Sequence, residues 1–399
     1  MPLNYGDCIV FKNGITHANK IMKLKKRPCI IILTTRDSFF LTHRKNLGLF
    51  LLRQGWDVCV VAPQTDEHCV EEIIALGFEF IPVSMERSKT TLKDVKTMVE
   101  LYRAYKKVNP NVVMNVGLKP ILWGGIVARL LNIPLVSAVS GLGFLFTGNR
   151  KTMTQKILIY GLKHVLPKKK HHFIFQNDDD KQIFLTNKIT TPDCISMIRG
   201  MGVDMNEYQP IPFEHHARIR FLFPARMLKD KGLIEFIEAA KKVEKQTSNA
   251  EFILAGDIDQ ANPSGISEEE LGNHIAITSI SWIGYQKNMI PVYGSSDVVV
   301  LPSYREGFPK VLIEAAAVGR PIITTDVPGC RDAVKDGVNG YLVPVRNADL
   351  LAEQMLHFVN NTNLKYEMGS ASVELAKKSY DSTEINTQFL TIFNSLIVR

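Results

Sequence analysis

In the stretch "YREGFPKVLIEAAAVGRPIITTD", seven residues separate two carboxylates: Glu306, ahead of a Gly-Phe-Pro turn, and Glu314, inside an apolar, alanine-rich run. Pro309 suits the first position of a helix, where its missing N–H would be unpaired anyway, and Gly307 lets the backbone approach a ligand closely. The N–H groups after Gly307 then form a helix start suited to an anion or a hydroxyl-rich group. Glu314 lies further into that helix, among Val311, Leu312, Ile313, Ala315, Ala316 and Ala317. An ionised side chain there is costly without partners, and a pair of vicinal hydroxyls, such as a nucleotide ribose presents, would supply them. Upstream, "FLFPARMLKDKG" places Arg226 and Lys231 after one apolar run and before a helix beginning near Leu233. Taken singly, each reads as a surface residue. Together, in a loop that enters a helix, they make a diphosphate clamp, the arginine forking onto phosphate oxygens and the lysine adding a point charge. Clamp and ribose carboxylate together point to a nucleoside diphosphate derivative.

Such residues need strand ends to hold them. From Pro28 onward the runs "CIIILTT", "DVCVVAP", "FEFIPV", "NVVMNV", "PLVSAV" and "HHFIFQ" alternate with helical patterns at 46–54, 92–107 and 121–131. Near-continuous apolar strands separated by helices indicate a parallel sheet covered on both faces. The alternation pauses at "MNEYQPIPFEHHAR" and restarts with "RFLFPA", "AEFILAG", "DVVVLPS", "RPIITT" and "GYLVP". The fold expected is α/β, two Rossmann-like domains facing a central cleft. The divisions are a basic extension at 1–27, a first domain at 28–204, a linker at 205–218, a second domain at 219–380 and a C-terminal helix at 381–399 that packs back on the first domain. Ligands of open α/β sheets bind beyond the carboxyl ends of the strands, and Glu306 follows "DVVVLPS" within a few residues.

Charge adds a second theme. The chain of 399 residues carries a net charge of +8. Residues 1–27 hold six Lys and Arg against Asp7, and residues 150–172 hold seven against no acid. Solvated basic loops are one reading. The second cluster also contains Met153, Ile157, Leu158, Ile159, Tyr160 and Leu162, a mixture that suits an anionic membrane surface. No recognition motif accompanies the charge, so nucleic acid is not an expected partner. Six scattered cysteines suggest neither a disulfide framework nor a zinc site. No leader peptide and no apolar run of membrane-spanning length is expected.

The motifs "PARMLKDKG", "ILAGDID", "WIGYQKNM", "LPSYREGFPKVLIEAAAVGRPIITTDVPGCRDAV" and "DGVNGYLVP" resemble those of family 4 retaining glycosyltransferases of the GT-B architecture. The first domain is similar more loosely, through "SFFLTHRKNLGLFLLRQGWDVCVVAP", "SAVSGLGFLF", "FIFQNDDD" and "RGMGVDMNEYQP". Those segments resemble bacterial members that extend polyprenyl-diphosphate-linked oligosaccharides for surface glycans. The resemblance implies that Arg226 and Lys231 bind the donor diphosphate and Glu314 the ribose. Glu306, with the backbone at Gly307, Phe308 and Pro309, would bind the transferred sugar, and Ser140, Gly141, Leu142 and Gly143 would line the first-domain wall. Many relatives carry a Gly-Gly pair that "LTTRDSFFLTHR" lacks, and some a histidine near the sugar where "MNVGLKP" offers Asn115, leaving His43 as the first-domain candidate.

The implied reaction moves a hexose or N-acetylhexosamine from a nucleotide-sugar, a UDP-sugar foremost, to a lipid-linked saccharide at the cytoplasmic face of the inner membrane. It needs no cofactor and no catalytic metal, so Asp257 and Asp259 of "GDID" and Asp178–Asp180 are not expected to hold one. Retention can proceed through a covalent glycosyl-enzyme or by same-face attack. The rival functions are a nucleotide-sugar 2-epimerase on this scaffold and a non-catalytic sugar-nucleotide-binding protein.

Overall fold

A computed structural model describes residues 27–86, 93–142, 153–166, 170–260, 262–276 and 278–397. The first sheet is built from β1 (Cys29–Leu33), β2 (Asp57–Ala62), β3 (Glu79–Pro82), β4 (Val112–Val116), β5 (Leu135–Val139), β6 (His171–Phe175) and β7 (Ile195–Met197). The second contains β8 (Ile219–Pro224), β9 (Ala250–Ala255), β10 (Ile280–Trp282), β11 (Val298–Leu301), β12 (Ile322–Thr325) and β13 (Gly340–Val343). All pairings within both sheets are parallel, in the orders 3-2-1-4-5-6-7 and 10-9-8-11-12-13. β4, β5 and β11 are buried at every residue, as expected for strands with helices on both faces. The α/β reading therefore holds.

Strand order reverses between β1 and β4 in one sheet and between β8 and β11 in the other. A crevice opens at such switch points. Arg226 lies just past the end of β8, and the turn holding Glu306 lies just past β11. Two strands, β7 and β10, are absent from the sequence reading. Each has three residues, all half-buried in β7 and buried, exposed and half-buried in turn in β10, and sits at a sheet edge, too short for a periodic signal.

The Ser382–Ile397 helix leaves the second domain and lies against the first. Its Ile385, Phe389, Phe393 and Leu396 share a core with Trp56, Phe40 and Leu47. The two chain crossings run side by side: the Val203 N–H donates to the Tyr380 carbonyl at 2.8 Å, and the Ser382 N–H to the Val203 carbonyl at 3.0 Å. Phe393 is fully buried, with its ring 6.1 Å from that of Trp56. Phe393→Ala should cost about 3–5 kcal/mol, measured as a lower denaturant midpoint for the first domain.

Candidate active site

The segment after β11 is a tight polar turn. The Ser303 hydroxyl donates to Glu306 Oε1 at 2.8 Å, and the Lys231 ammonium donates to the same oxygen. The Glu306 N–H donates to the Pro328 carbonyl at 3.1 Å. Lys231 and Glu306, assigned separately to phosphate and sugar, are thus an ion pair across the mouth of the second sheet. Arg226 pairs with Asp259, so an aspartate of "GDID" is the partner of a clamp cation.

Pro309 stands one position before the helix and Lys310 begins it. A ψ of 115° keeps Pro309 extended, so it caps the helix and is not its first residue. Phe308 turns its ring away from the turn to meet Tyr380 edge-on, with centroids 5.6 Å apart. The Phe308 side chain is buried there.

Glu314, 3% exposed, sits in the buried layer of the Lys310–Ala317 helix. The Tyr208 hydroxyl donates to Oε1 at 2.7 Å and the Tyr293 hydroxyl to Oε2 at 3.0 Å, while the Lys310 ammonium lies 2.7 Å from Oε1. Burial first, and then the neighbouring carboxylate, push both tyrosine pKa values upward, so both hydroxyls stay protonated as donors. Lys310 stands at the i,i+4 spacing of a helical ion pair, a signal the sequence offers, whereas no spacing points to either tyrosine. Tyr208 comes from the linker, 106 residues away.

The first domain closes on this turn. Asn177 Nδ2 donates to the Gly307 carbonyl at 3.0 Å. A Cβ on Gly307 would stand 2.7 Å from Gln176 Oε1 and closer still to the Ser140 carbonyl, and one on Gly141 would meet Gly307 Cα at 3.1 Å. Ser140 and Gly141 therefore touch the Glu306–Gly307 turn. Leu142 is buried in the first-domain core, and Gly143 lies outside the described residues. Asp180, buried at the start of the Asp178–Thr186 helix, pairs with Arg305. Burial raises the Asp180 pKa, and Arg305 opposes the shift. The three aspartates of "DDD" each meet different cations: Asp178 meets Lys181 and Arg199, Asp179 meets Arg331, and Asp180 meets Arg305.

His43 ends the Asp37–His43 helix, stacked on Phe39 at 4.2 Å. Its pKa falls to about 3, first through burial between the domains, then through the charges of Lys310, Arg44 and Lys231. It is a neutral imidazole facing the cations of the second domain. Asn115 is different: fully buried in β4, it accepts a hydrogen bond from the Tyr105 hydroxyl at 3.3 Å. It packs beneath the Leu118–Leu130 helix at Gly124 and belongs to the core. The loop after β1 is tied to β2, the Thr34 N–H donating to the Val61 carbonyl at 3.0 Å. The Asp37 carboxylate accepts from the Thr65 N–H at 2.6 Å and the Asp66 N–H at 3.0 Å.

Both halves of the chain match known families. Residues 30–177 match the family described as "Glycosyl transferase 4-like", and residues 204–374 match "Glycosyl transferases group 1". The chain belongs to the GT-B glycosyltransferases built from these two domains. One relative is the N,N'-diacetylbacillosaminyl-diphospho-undecaprenol alpha-1,3-N-acetylgalactosaminyltransferase of Campylobacter jejuni, 27% identical, with 86% of this chain and 92% of that protein covered. Another is the UDP-Gal:alpha-D-GlcNAc-diphosphoundecaprenol alpha-1,3-galactosyltransferase of Escherichia coli, 27% identical over 68% of this chain and 71% of that protein. Among solved structures, Anabaena HepE in complex with UDP and glucose superposes with a TM-score of 0.75 at 16% identity, covering 92% of this chain and 99% of that one. At that identity the likeness concerns the fold.

The interdomain contact at Gly307 makes a direct prediction. Gly307→Ala forces the turn away from Ser140 and Gln176, and a misplacement of this size typically costs about 10²-fold in turnover. Steady-state assays should show that loss with the circular dichroism spectrum unchanged.

Proposed function

We propose that the chain transfers a hexose or N-acetylhexosamine from a nucleotide-sugar, UDP-linked, to a hydroxyl of a lipid-linked saccharide in bacterial surface-glycan assembly, with retention of anomeric configuration. The observation that carries this reading is the Lys231–Glu306–Ser303 cluster at the switch point of the second sheet, held against Ser140 and Gly141 of the first. Relatives named for transfer to diphospho-undecaprenol-linked sugars support the acceptor class, and a neighbour in complex with UDP supports the donor.

On this reading the diphosphate lies on Arg226 and Lys231, the ribose on Glu314, and the sugar hydroxyls on Glu306 and the backbone of Gly307 and Phe308. Ser140, Gly141 and His43 face them from the first domain. Leaving-group charge is stabilised by the two cations without a metal. In support, Asp259 and all three "DDD" carboxylates are engaged by arginine or lysine side chains. Among the described residues of the first domain this scheme assigns no carboxylate as nucleophile, which favours same-face attack with the departing phosphate taking the acceptor proton.

Lys231→Ala should lower kcat by about 10²–10³, and Glu314→Gln should weaken UDP binding more than it lowers kcat. Steady-state kinetics and titration with UDP check both, and wild-type values in the two variants would refute the assignment. Epimer formation from UDP-sugar without an acceptor would replace transferase with epimerase.

The acceptor's lipid calls for a membrane-facing surface, and the same proposal places the protein peripherally at the cytoplasmic face of the inner membrane. No helix among the described residues is long and apolar enough to cross a membrane. The Met153–Val165 helix instead exposes Met153 (72%), Ile157 (65%) and Tyr160 (67%) along one stripe, beside the exposed Lys156. Arg129 Nη1 donates to the carbonyls of His164 at 2.8 Å and Val165 at 3.0 Å, bringing the exposed Leu130 to the end of this helix. Such a stripe bordered by lysine suits the interface of an anionic bilayer. Residues 1–26, 150–152 and 167–169 of the two basic segments lie outside the described residues. Binding to phosphatidylglycerol vesicles should weaken as salt is added, and Lys156→Gln should weaken it by about 1 kcal/mol. Sedimentation that is indifferent to both would remove the membrane assignment.

A further inference from the structure

Glu314 holds more donors than a ribose-binding carboxylate can keep. An ionised carboxylate offers about four lone-pair positions. Among the described residues, Tyr208 and Lys310 occupy Oε1 at 2.7 Å each, and Tyr293 occupies Oε2 at 3.0 Å. One position, on Oε2, is left. A vicinal diol bringing two hydroxyls must therefore displace a donor.

The three donors are not equally able to leave. Tyr293 is fully buried. Tyr208 sits in a linker fastened to the second domain: its N–H donates to the Asp204 carbonyl at 2.9 Å, and the Ile211 N–H to the Val318 carbonyl at 3.1 Å. Lys310 has its ammonium on a flexible four-carbon stem at the first position of the helix, with the side chain 35% exposed. It is the donor that yields. Its destination is also indicated, because Lys310 directly follows the turn in which Glu306 pairs with Lys231. A released Lys310 therefore shares the space served by the diphosphate cation.

We propose that Lys310 is a further donor-binding residue, which holds Glu314 until the ribose takes that carboxylate and then transfers to the nucleotide's phosphates. The inference rests on the donor site described above. It makes Glu314 and the phosphate subsite exchange one cation, so ribose and diphosphate bind as a coupled unit.

The test compares uridine, which has the ribose without phosphate, with UDP, using titration on the full chain for wild type, Lys310→Met and Lys310→Arg. A hydrogen bond to a charged group contributes about 1.5–3 kcal/mol, so Lys310→Met should raise the Kd for UDP about 10-fold or more. The same variant should leave uridine binding unchanged or tighten it, because the competitor for Glu314 is gone. Lys310→Arg should recover UDP binding, and the salt dependence of UDP binding should flatten in the methionine variant alone. Equal weakening of uridine and UDP, or no change in either, overturns the proposal while the nucleotide site stands. A wild-type protein that binds neither uridine nor UDP overturns the donor reading, and this inference with it.

Discussion

The two domains meet where a side chain is missing. Gly307 lies so close to the Ser140 carbonyl and to Gln176 that a Cβ has no room, and Gly141, at a φ of +104°, faces it from the other side. The turn that carries Glu306 reaches the first domain only because both positions are bare backbone, with the left-handed conformation at Gly141 open to glycine. Asn177 then reads the Gly307 carbonyl at 3.0 Å and fixes the direction of approach. Around this point lie the buried Asp180–Arg305 pair and the more exposed Arg331–Asp179 and Arg199–Asp332 pairs, each at 3.6 Å. Exposed pairs contribute little to stability. Steric fit sets the distance between the domains, and the buried polar contacts set their orientation.

Charge at the site is arranged by the same economy. Glu306 and Glu314, one spacing apart in sequence, are each neutralised by a lysine from the second domain, Lys231 and Lys310. A buried carboxylate without a partner would be costly, and each lysine meets that requirement without committing every lone pair. The tyrosines on Glu314 hold the carboxylate in place, while the lysines hold its charge. In the donor site proposed above, arriving ligand hydroxyls exchange with existing donors and meet no unsolvated anion.

The fold was legible because its strands are near-continuous β-branched runs, a local property, and eleven of them stand where "CIIILTT" through "GYLVP" place them. The three-residue strands β7 and β10 lie below the length at which such a pattern forms. Within the site, "EGFPKVLIE" and "PARMLKDKG" were readable because their residues are close in sequence and bounded by a strand and a helix. Their partners were not. Tyr208 meets Glu314 across 106 residues, Asn177 meets Gly307 across 130, and Arg305 meets Asp180 across 125. Such contacts follow from how two sheets face one another, and no spacing rule encodes them. The "DDD" run shows the ambiguity well: as a sequence it resembles a cation site, while in the fold Asn177 caps its helix and each aspartate finds different cations.

The linker joins these threads. The chain crosses between domains at Val203 and again at Asp381, where the two segments bridge each other, and a Cβ on Gly202 would meet Ser382 Cα at 2.6 Å. Any relative movement of the domains must bend both crossings together. Tyr208 follows the first crossing closely and is hydrogen-bonded to Glu314. Arg320, fully buried, holds the linker from the other side, its Nη1 donating to the Ile211 carbonyl at 2.7 Å and its guanidinium lying 4.3 Å from the Phe213 ring. The irregular stretch that links the domains is thus part of the second domain's carboxylate layer. A ligand shifts a domain equilibrium only through contacts that differ between its states. Glu314 reports to the linker through Tyr208, and Glu306 lies in the turn that Asn177 grips. The two carboxylates therefore meet the linker and the interdomain contact, Glu314 through Tyr208 and Glu306 through the turn held by Asn177.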